Sequence, residues 1–213
     1  MLYLDLLRHG ETELGGGLRG SLDDALTEQG WAQLRAAMQD AGPWDRLISS
    51  PLQRCARFAE ELAATHSLPL HLEPDVRELH FGDWEGRSAA ALMETDAEAL
   101  GRFWADPYAF TPPNGEPLLH FEARILAALQ RLQQRHAGER LLLITHGGVM
   151  RLLLARAQLQ AGDTRGAVTT LEQNAPSLAQ EPTYHALLAA SYQQAGQWQQ
   201  SAALYREMVA LRP

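Results

Sequence analysis

An α/β domain of three layers around a mostly parallel sheet, followed by an all-α tail, is the fold class the sequence predicts, on three observations. Short apolar runs at residues 2–7, 45–49 and 141–144 alternate with segments of helical periodicity, the signature of right-handed crossovers and a parallel sheet. The run Leu141-Leu142-Leu143-Ile144 has no polar alternation, as expected of a strand buried on both faces. Beyond Gly147-Gly148 no strand candidate follows, and the composition turns to Ala, Gln and Leu.

The first strand, residues 2–7, stops at Arg8-His9-Gly10, and a glycine-rich loop continues through Gly15-Gly16-Gly17 and Gly20. Thr27 is the predicted N-cap of the first helix, with Leu26 placed to staple against Trp31 and Gly42-Pro43 closing the segment. Residues 45–49 form the second strand. After Pro51, the residues Leu52, Cys55, Phe58, Ala59 and Leu62 share one face of a second helix, which puts Cys55 in the core. A third strand is predicted over roughly 71–79. Phe121, Ile125, Leu129 and Leu132 then form the apolar stripe of a helix that leads into the buried strand at 141–144.

The tail repeats itself. Leu154, Ala155, Gly162, Ala167 and Leu171 recur as Leu188, Ala189, Gly196, Ser201 and Tyr205, each pair 34 residues apart. That is the period of a tetratricopeptide repeat, and the stretch resembles two such units. The predicted organisation is a catalytic domain over 1–155 and a helical-repeat tail over 156–213. Two repeats are fewer than the roughly three an independent solenoid needs, so the tail is expected to pack on the first domain, where it would cover an open sheet edge, or to associate with another protein or a second copy.

Composition excludes several classes. Across 213 residues the formal net charge is -8, and such a surface repels nucleic acid and anionic lipid at long range. A single cysteine, Cys55, excludes an internal disulfide, and no Cys/His spacing fits a zinc site. No run is long enough to cross a bilayer. The expected location is the reducing cytoplasm.

Chemistry gathers at strand ends, as it does in open α/β sheets. Arg8-His9-Gly10-Glu11-Thr12 ends the first strand, Ser49-Ser50-Pro51-Leu52-Gln53-Arg54 the second, and Thr145-His146-Gly147-Gly148 the strand at 141–144. Strands lying side by side would bring two histidines and two arginines to one rim. Phosphoryl transfer asks for a nucleophile and for cationic donors to the equatorial oxygens. Imidazole supplies the first and paired guanidinium forks the second. Gly10 and Gly147 beside the histidines leave room for the backbone to approach an anion. Glu78 lies where a proton donor for the departing alkoxide is needed, although Asp75, Asp83 and Glu85 compete for that role.

These motifs, taken in this order, resemble those of the histidine phosphatase superfamily, also called phosphoglycerate mutase-like, over roughly residues 1–155. The resemblance implies that His9 is phosphorylated, that Arg8, Arg54 and His146 form the phosphate pocket, and that Glu78 donates the proton. It places Gly10, Glu11, Thr12, Arg19 and Gly147 among the substrate contacts, with Glu116 as a further secondary contact. It implies no metal and no organic cofactor. The stretch Phe81-Gly82-Asp83-Trp84-Glu85-Gly86-Arg87 is similar to the branch that includes α-ribazole phosphatases, so the expected activity is hydrolysis of a small phosphorylated metabolite such as α-ribazole 5'-phosphate. The rivals are a phosphoglycerate mutase reaction and a helical-repeat binding module attached to an inactive phosphatase portion. Two departures stand out. Gly15-Gly16-Gly17 replaces an Asn common in relatives, and the repeat-like tail stands where the family's last strands are expected.

Overall fold

The computed structural model describes residues 2–160. The predicted repeat tail beyond that point, and with it the proposed cover of the sheet edge, lies outside the described residues.

Four strands form one parallel sheet in the order β1-β4-β2-β3, with β1 at Tyr3–Arg8, β2 at Arg46–Ser49, β3 at Leu70–Leu72 and β4 at Arg140–Thr145. The uninterrupted apolar run is thus central, between β1 and β2. Its odd and even residues separate cleanly. Leu141 and Leu143 join one core with Phe121, Ile125 and Leu152, while Leu142 and Ile144 join the other with Leu34, Phe58 and Leu62. Helices α1 (Glu28–Ala37) and α2 (Gln53–His66) therefore cover one face, and α5 (Leu118–Arg135) and α6 (Gly147–Gln160) cover the other. The sandwich of helices around a parallel sheet is the predicted architecture, and α6 runs as one helix through the predicted boundary at residue 155.

Local signals account for most of the helix ends. Thr27 caps α1 by accepting from Gly30 N at 3.0 Å, and Leu26 and Trp31 belong to the same apolar cluster. The helix ends at Ala37, several residues before Gly42-Pro43. Backbone N–H of Gln53, at the uncapped start of α2, donates to Asp23 Oδ1 at 2.6 Å, which satisfies one of the orphan donors of a helix N-terminus.

The third strand is a correction. It is three residues long rather than nine, because Glu73 takes the backbone out of the ladder: its carboxylate accepts from Asp75 N at 3.2 Å and caps a 3-10 turn over Pro74–Val76. Pro74 has no N–H for a ladder. Residues beyond Val76 run as loop around a second 3-10 turn, Gly82–Trp84. Two further helices, α3 (Ala89–Thr95) and α4 (Ala97–Ala105), follow. They were not predicted, being too short for a periodic stripe, yet they bury Leu92, Leu100 and Phe103 against the core of α5.

Candidate active site

The strand register sets the site. Arg8 pairs with Thr145 and Ser49 with Ile144, so His9, Ser50 and His146 all leave the sheet at the carboxyl end within one step of each other. Backbone bonds fix the three exits: His9 N donates to Thr145 O and Ser50 N to Ile144 O, each at 3.0 Å. The two imidazoles meet with ring centroids 5.4 Å apart and planes tilted by 59°.

Each ring has a defined tautomer. His9 Nδ1 lies 2.8 Å from Gly10 O; a carbonyl can only accept, so Nδ1 carries the hydrogen and Nε2 keeps its lone pair. Burial holds His9 down at about 3, against the opposing Gly10 bond and with help from the charges of Arg54, Arg8 and Arg19. The ring is neutral at pH 7. His146 is wholly buried, and burial, followed by the charge of Arg54, keeps it well below its ordinary value. Arg54 Nε donates to His146 Nδ1 at 3.3 Å, which leaves the hydrogen on Nε2, 2.8 Å from Ser50 Oγ. Cys55 packs beneath that ring, its Sγ 3.8 Å from His146 Nε2, and burial pushes the thiol far up.

Arginines supply the charge. Arg54 is fully buried at the start of α2, where its guanidinium donates to Gly20 O (2.8 Å), Leu22 O (2.5 Å) and Asp24 Oδ1 (3.3 Å). Glu60 and Glu61, on the same helix, bind Arg57 and Arg35 instead. Asp24 bridges Arg54 to Arg19, whose Nε donates to it at 3.0 Å. A buried guanidinium without such partners would be costly.

A cleft of about 310 Å³ opens above this group, lined by Arg8, His9, Gly10, Glu11, Thr12, Arg19 and Gln33. Six of these were singled out from the sequence. Thr12 Oγ1 is buried there with no hydrogen-bond partner among the described residues, a donor that an oxyanion would satisfy. Gln33 was missed; it reaches the cleft from α1, where its Oε1 accepts from Glu11 N at 3.0 Å, and a polar residue on a helix face carries no signal of that. Arg54 and His146 stand behind the cleft rather than on its wall.

Gly10 also answers a packing need. A Cβ there would fall 2.3 Å from Gly30 O, and one on Gly30 would fall 2.1 Å from Glu11 O. The pair lets the loop after β1 press onto α1. Gly147 faces arginine side chains, with Arg151 Nη1 at 3.1 Å and Arg8 Cζ at 3.5 Å from the position of its absent Cβ.

Glu78 comes to the same region from the loop after the Pro74–Val76 turn. Its Oε2 accepts from Gly148 N at 3.0 Å and its Oε1 from Leu79 N at 3.0 Å, so the carboxyl group sits at the start of α6, two residues beyond His146. Its competitors are occupied elsewhere. Asp75 binds Arg131, Asp83 accepts from Asn114, and Glu85 accepts from Ser21 and Phe81 N. His80 lies 3.8 Å from Glu85. Among the described residues no group of three or more His, Cys, Asp or Glu side chains is arranged to hold a metal ion, and no helix is long and apolar enough to cross a membrane.

Known proteins are similar to this chain. The adenosylcobalamin/alpha-ribazole phosphatase of Salmonella typhimurium is 34% identical over 159 residues, covering 73% of this chain and 79% of the relative. A metal-independent phosphoserine phosphatase of Arabidopsis thaliana is 32% identical over 158 residues, covering 71% and 66%. The crystal structure of the alpha-ribazole phosphatase from Shigella flexneri superposes with a TM-score of 0.65 at 33% identity, covering 72% of this chain and 78% of that one. The profile of the histidine phosphatase superfamily (branch 1) matches residues 4–175, and with two neutral imidazoles at adjoining strand ends beside the buried Arg54, the chain belongs to that superfamily.

Proposed function

We propose that the chain hydrolyses a small phosphate monoester through a phosphohistidine on His9, and that α-ribazole 5'-phosphate is the first substrate to test. The observation that carries the reading is the Nδ1–H bond to Gly10 O, which aims an unprotonated Nε2 into a cleft rimmed by Arg8 and Arg19. In the first step Nε2 attacks phosphorus and the bond to the ester oxygen breaks. Glu78 gives that oxygen its proton. Water then attacks the phosphohistidine, returns a proton to Glu78, and inorganic phosphate departs as Nε2 is restored. Arg8 stabilises the equatorial oxygens from the cleft wall, Arg54 adds its charge from behind the cleft, and His146 joins them by turning its Nε2–H from Ser50 to the phosphoryl group. Gly10, Glu11, Thr12, Arg19 and Gly147 are the assigned substrate contacts.

The choice of ester rests on the relatives from Salmonella and Shigella named for α-ribazole, and a cleft of about 310 Å³ suits a small metabolite. Phosphoserine, named for the Arabidopsis relative, is the natural comparison. The test is turnover of both esters, with trapping of acid-labile phosphate on the protein. The expected result is labelling lost in His9→Ala and a higher kcat/KM for α-ribazole 5'-phosphate. Undiminished labelling of His9→Ala overturns the nucleophile, and equal kcat/KM values overturn the substrate.

A further inference from the structure

Glu78 is carried on a loop, and a loop residue that must present a carboxyl group to a departing oxygen needs its backbone held. Neither strand nor helix supplies this, since β3 ends at Leu72 and residues 77–81 lie between two 3-10 turns. Arg124, on α5, does. Its Nη1 donates to Asp75 O at 2.6 Å and to Arg77 O at 2.8 Å, and its Nη2 donates to Glu78 O at 2.9 Å. Three carbonyls flanking Glu78 converge on one guanidinium.

The guanidinium is itself fixed from the opposite side. Glu116 accepts from Arg124 Nε at 2.7 Å and from Nη2 at 2.8 Å in a fork-to-fork pair, the geometry in which arginine holds direction best. Glu116 also closes on the loop beyond Glu78, for its N donates to His80 O at 2.8 Å. Arg124 Cζ rests 4.9 Å from the centre of the Phe121 ring, and Phe121 is buried in the core. Three donor contacts thus tie the loop that carries Glu78 to α5, and two more hold the guanidinium against Glu116.

We infer that Arg124 is the positioning residue for Glu78, with Glu116 as the brace that orients it. The inference rests on the reading of Glu78 as proton donor. Arg124 touches no substrate; it determines where the carboxyl group stands when the ester oxygen leaves. Lysine cannot replace it well, because a single ammonium group cannot span three carbonyls and a carboxylate.

Two esters separate positioning from general weakening. p-Nitrophenyl phosphate releases a stable phenolate that needs little protonation, whereas glycerol 2-phosphate releases an alkoxide that needs a proton. In Arg124→Gln, kcat/KM on glycerol 2-phosphate, which reports transfer of the phosphoryl group to His9, should fall by about tenfold or more beyond any loss on p-nitrophenyl phosphate, within the range general acid catalysis contributes. Arg124→Lys should recover only part of the loss. In a Glu78→Gln background, Arg124→Gln should add no further discrimination between the esters, as coupled residues behave in a double-mutant cycle. Equal losses on both esters, or full additivity with Glu78→Gln, overturn the inference while leaving Glu78 in its role. If Glu78→Gln itself treats both esters alike, the proton donor falls and Arg124 with it. Should Arg124→Gln be insoluble, Glu116→Gln tests the same clamp and should show the same selectivity to a smaller degree; its absence there overturns the inference equally.

Discussion

The two parts of the proposed site are built by different means. At the end assigned to the phosphate, His9, Ser50 and His146 issue directly from neighbouring parallel strands, and backbone bonds between those strands set their spacing. At the end assigned to the leaving group, Glu78 hangs from a loop held by the Arg124 side chain reaching across from α5, and its carboxylate accepts from the backbone N–H of Gly148 at the start of α6. The first end is as rigid as the sheet. The second is as rigid as a few polar contacts, each of which a single substitution can remove. Damage should therefore be total at one end and selective at the other.

The largest effect belongs to His9→Ala, which removes the proposed nucleophile: turnover of any phosphate monoester should drop by at least about a thousandfold, with no dependence on the leaving group. A residual rate that still varies with the leaving group would shift the covalent step away from the strand ends. Next comes Arg54→Ala. Its guanidinium holds Gly20, Leu22, Asp24 and His146 together, and removing one partner of a buried ion pair costs about 3 kcal/mol or more. Chemical denaturation should register that loss, together with slower turnover of every ester. Unchanged stability would mean that Asp24 finds full compensation in Arg19, and the phosphate end would be less unified than its geometry indicates.

Gly148→Ala probes the other end. The added Cβ would fall 2.3 Å from Glu78 Oε1, the far end of a flexible side chain whose backbone Arg124 holds. The carboxyl group must swing away while the fold survives, and alanine is the better helix former. We expect a melting temperature close to the parent's and a loss of about tenfold or more on alkyl phosphates, with p-nitrophenyl phosphate much less affected. A uniform loss on both esters would show instead that the N-terminus of α6 serves the phosphate.

How much of this the sequence disclosed follows the same division. The strand ends were readable because their signals are local: an apolar run closed by Arg8-His9-Gly10, another closed by Thr145-His146-Gly147, and a helix start just before Arg54. The parallel sheet followed from the same runs. The loop after β3 was misread as strand because Leu70, Leu72, Val76 and Leu79 alternate loosely with polar residues, and nothing local announces that Glu73 will cap a turn. Asp24 and Arg124 were invisible for a related reason. Each acts on residues about 30 to 50 positions away, and an isolated charge in a sequence resembles any solvated surface charge. Even Glu116, marked as a secondary contact, gave no sign that its partner would be Arg124. Gly10 carries a constraint that the sequence did not signal, since packing on Gly30 demands glycine there before any ligand arrives.

The smallest effect is one of pH, and it belongs to the phosphate end. His9 and His146 are both kept neutral in the folded chain, chiefly by burial, whereas in the unfolded chain each titrates near the usual 6.5. Above that pH neither state binds the proton and the two histidines leave stability unchanged. As pH falls below 6.5, the unfolded chain takes up protons the folded chain refuses, so stability declines by up to about 1.4 kcal/mol per pH unit for each histidine. For His9 the decline ends near its folded value of about 3. Glu61, Asp96 and Glu139 are all lowered by their partners, and their contributions are lost only as pH falls below the ordinary carboxylate range, under about 4.5. Between pH 5 and 6.5 the histidines consequently dominate. Across that window stability plotted against pH should fall more steeply for the parent than for His9→Gln, which removes one of the two groups. Identical slopes in parent and His9→Gln would mean that His9 is open to protons in the folded chain, and the neutral nucleophile would lose its physical basis.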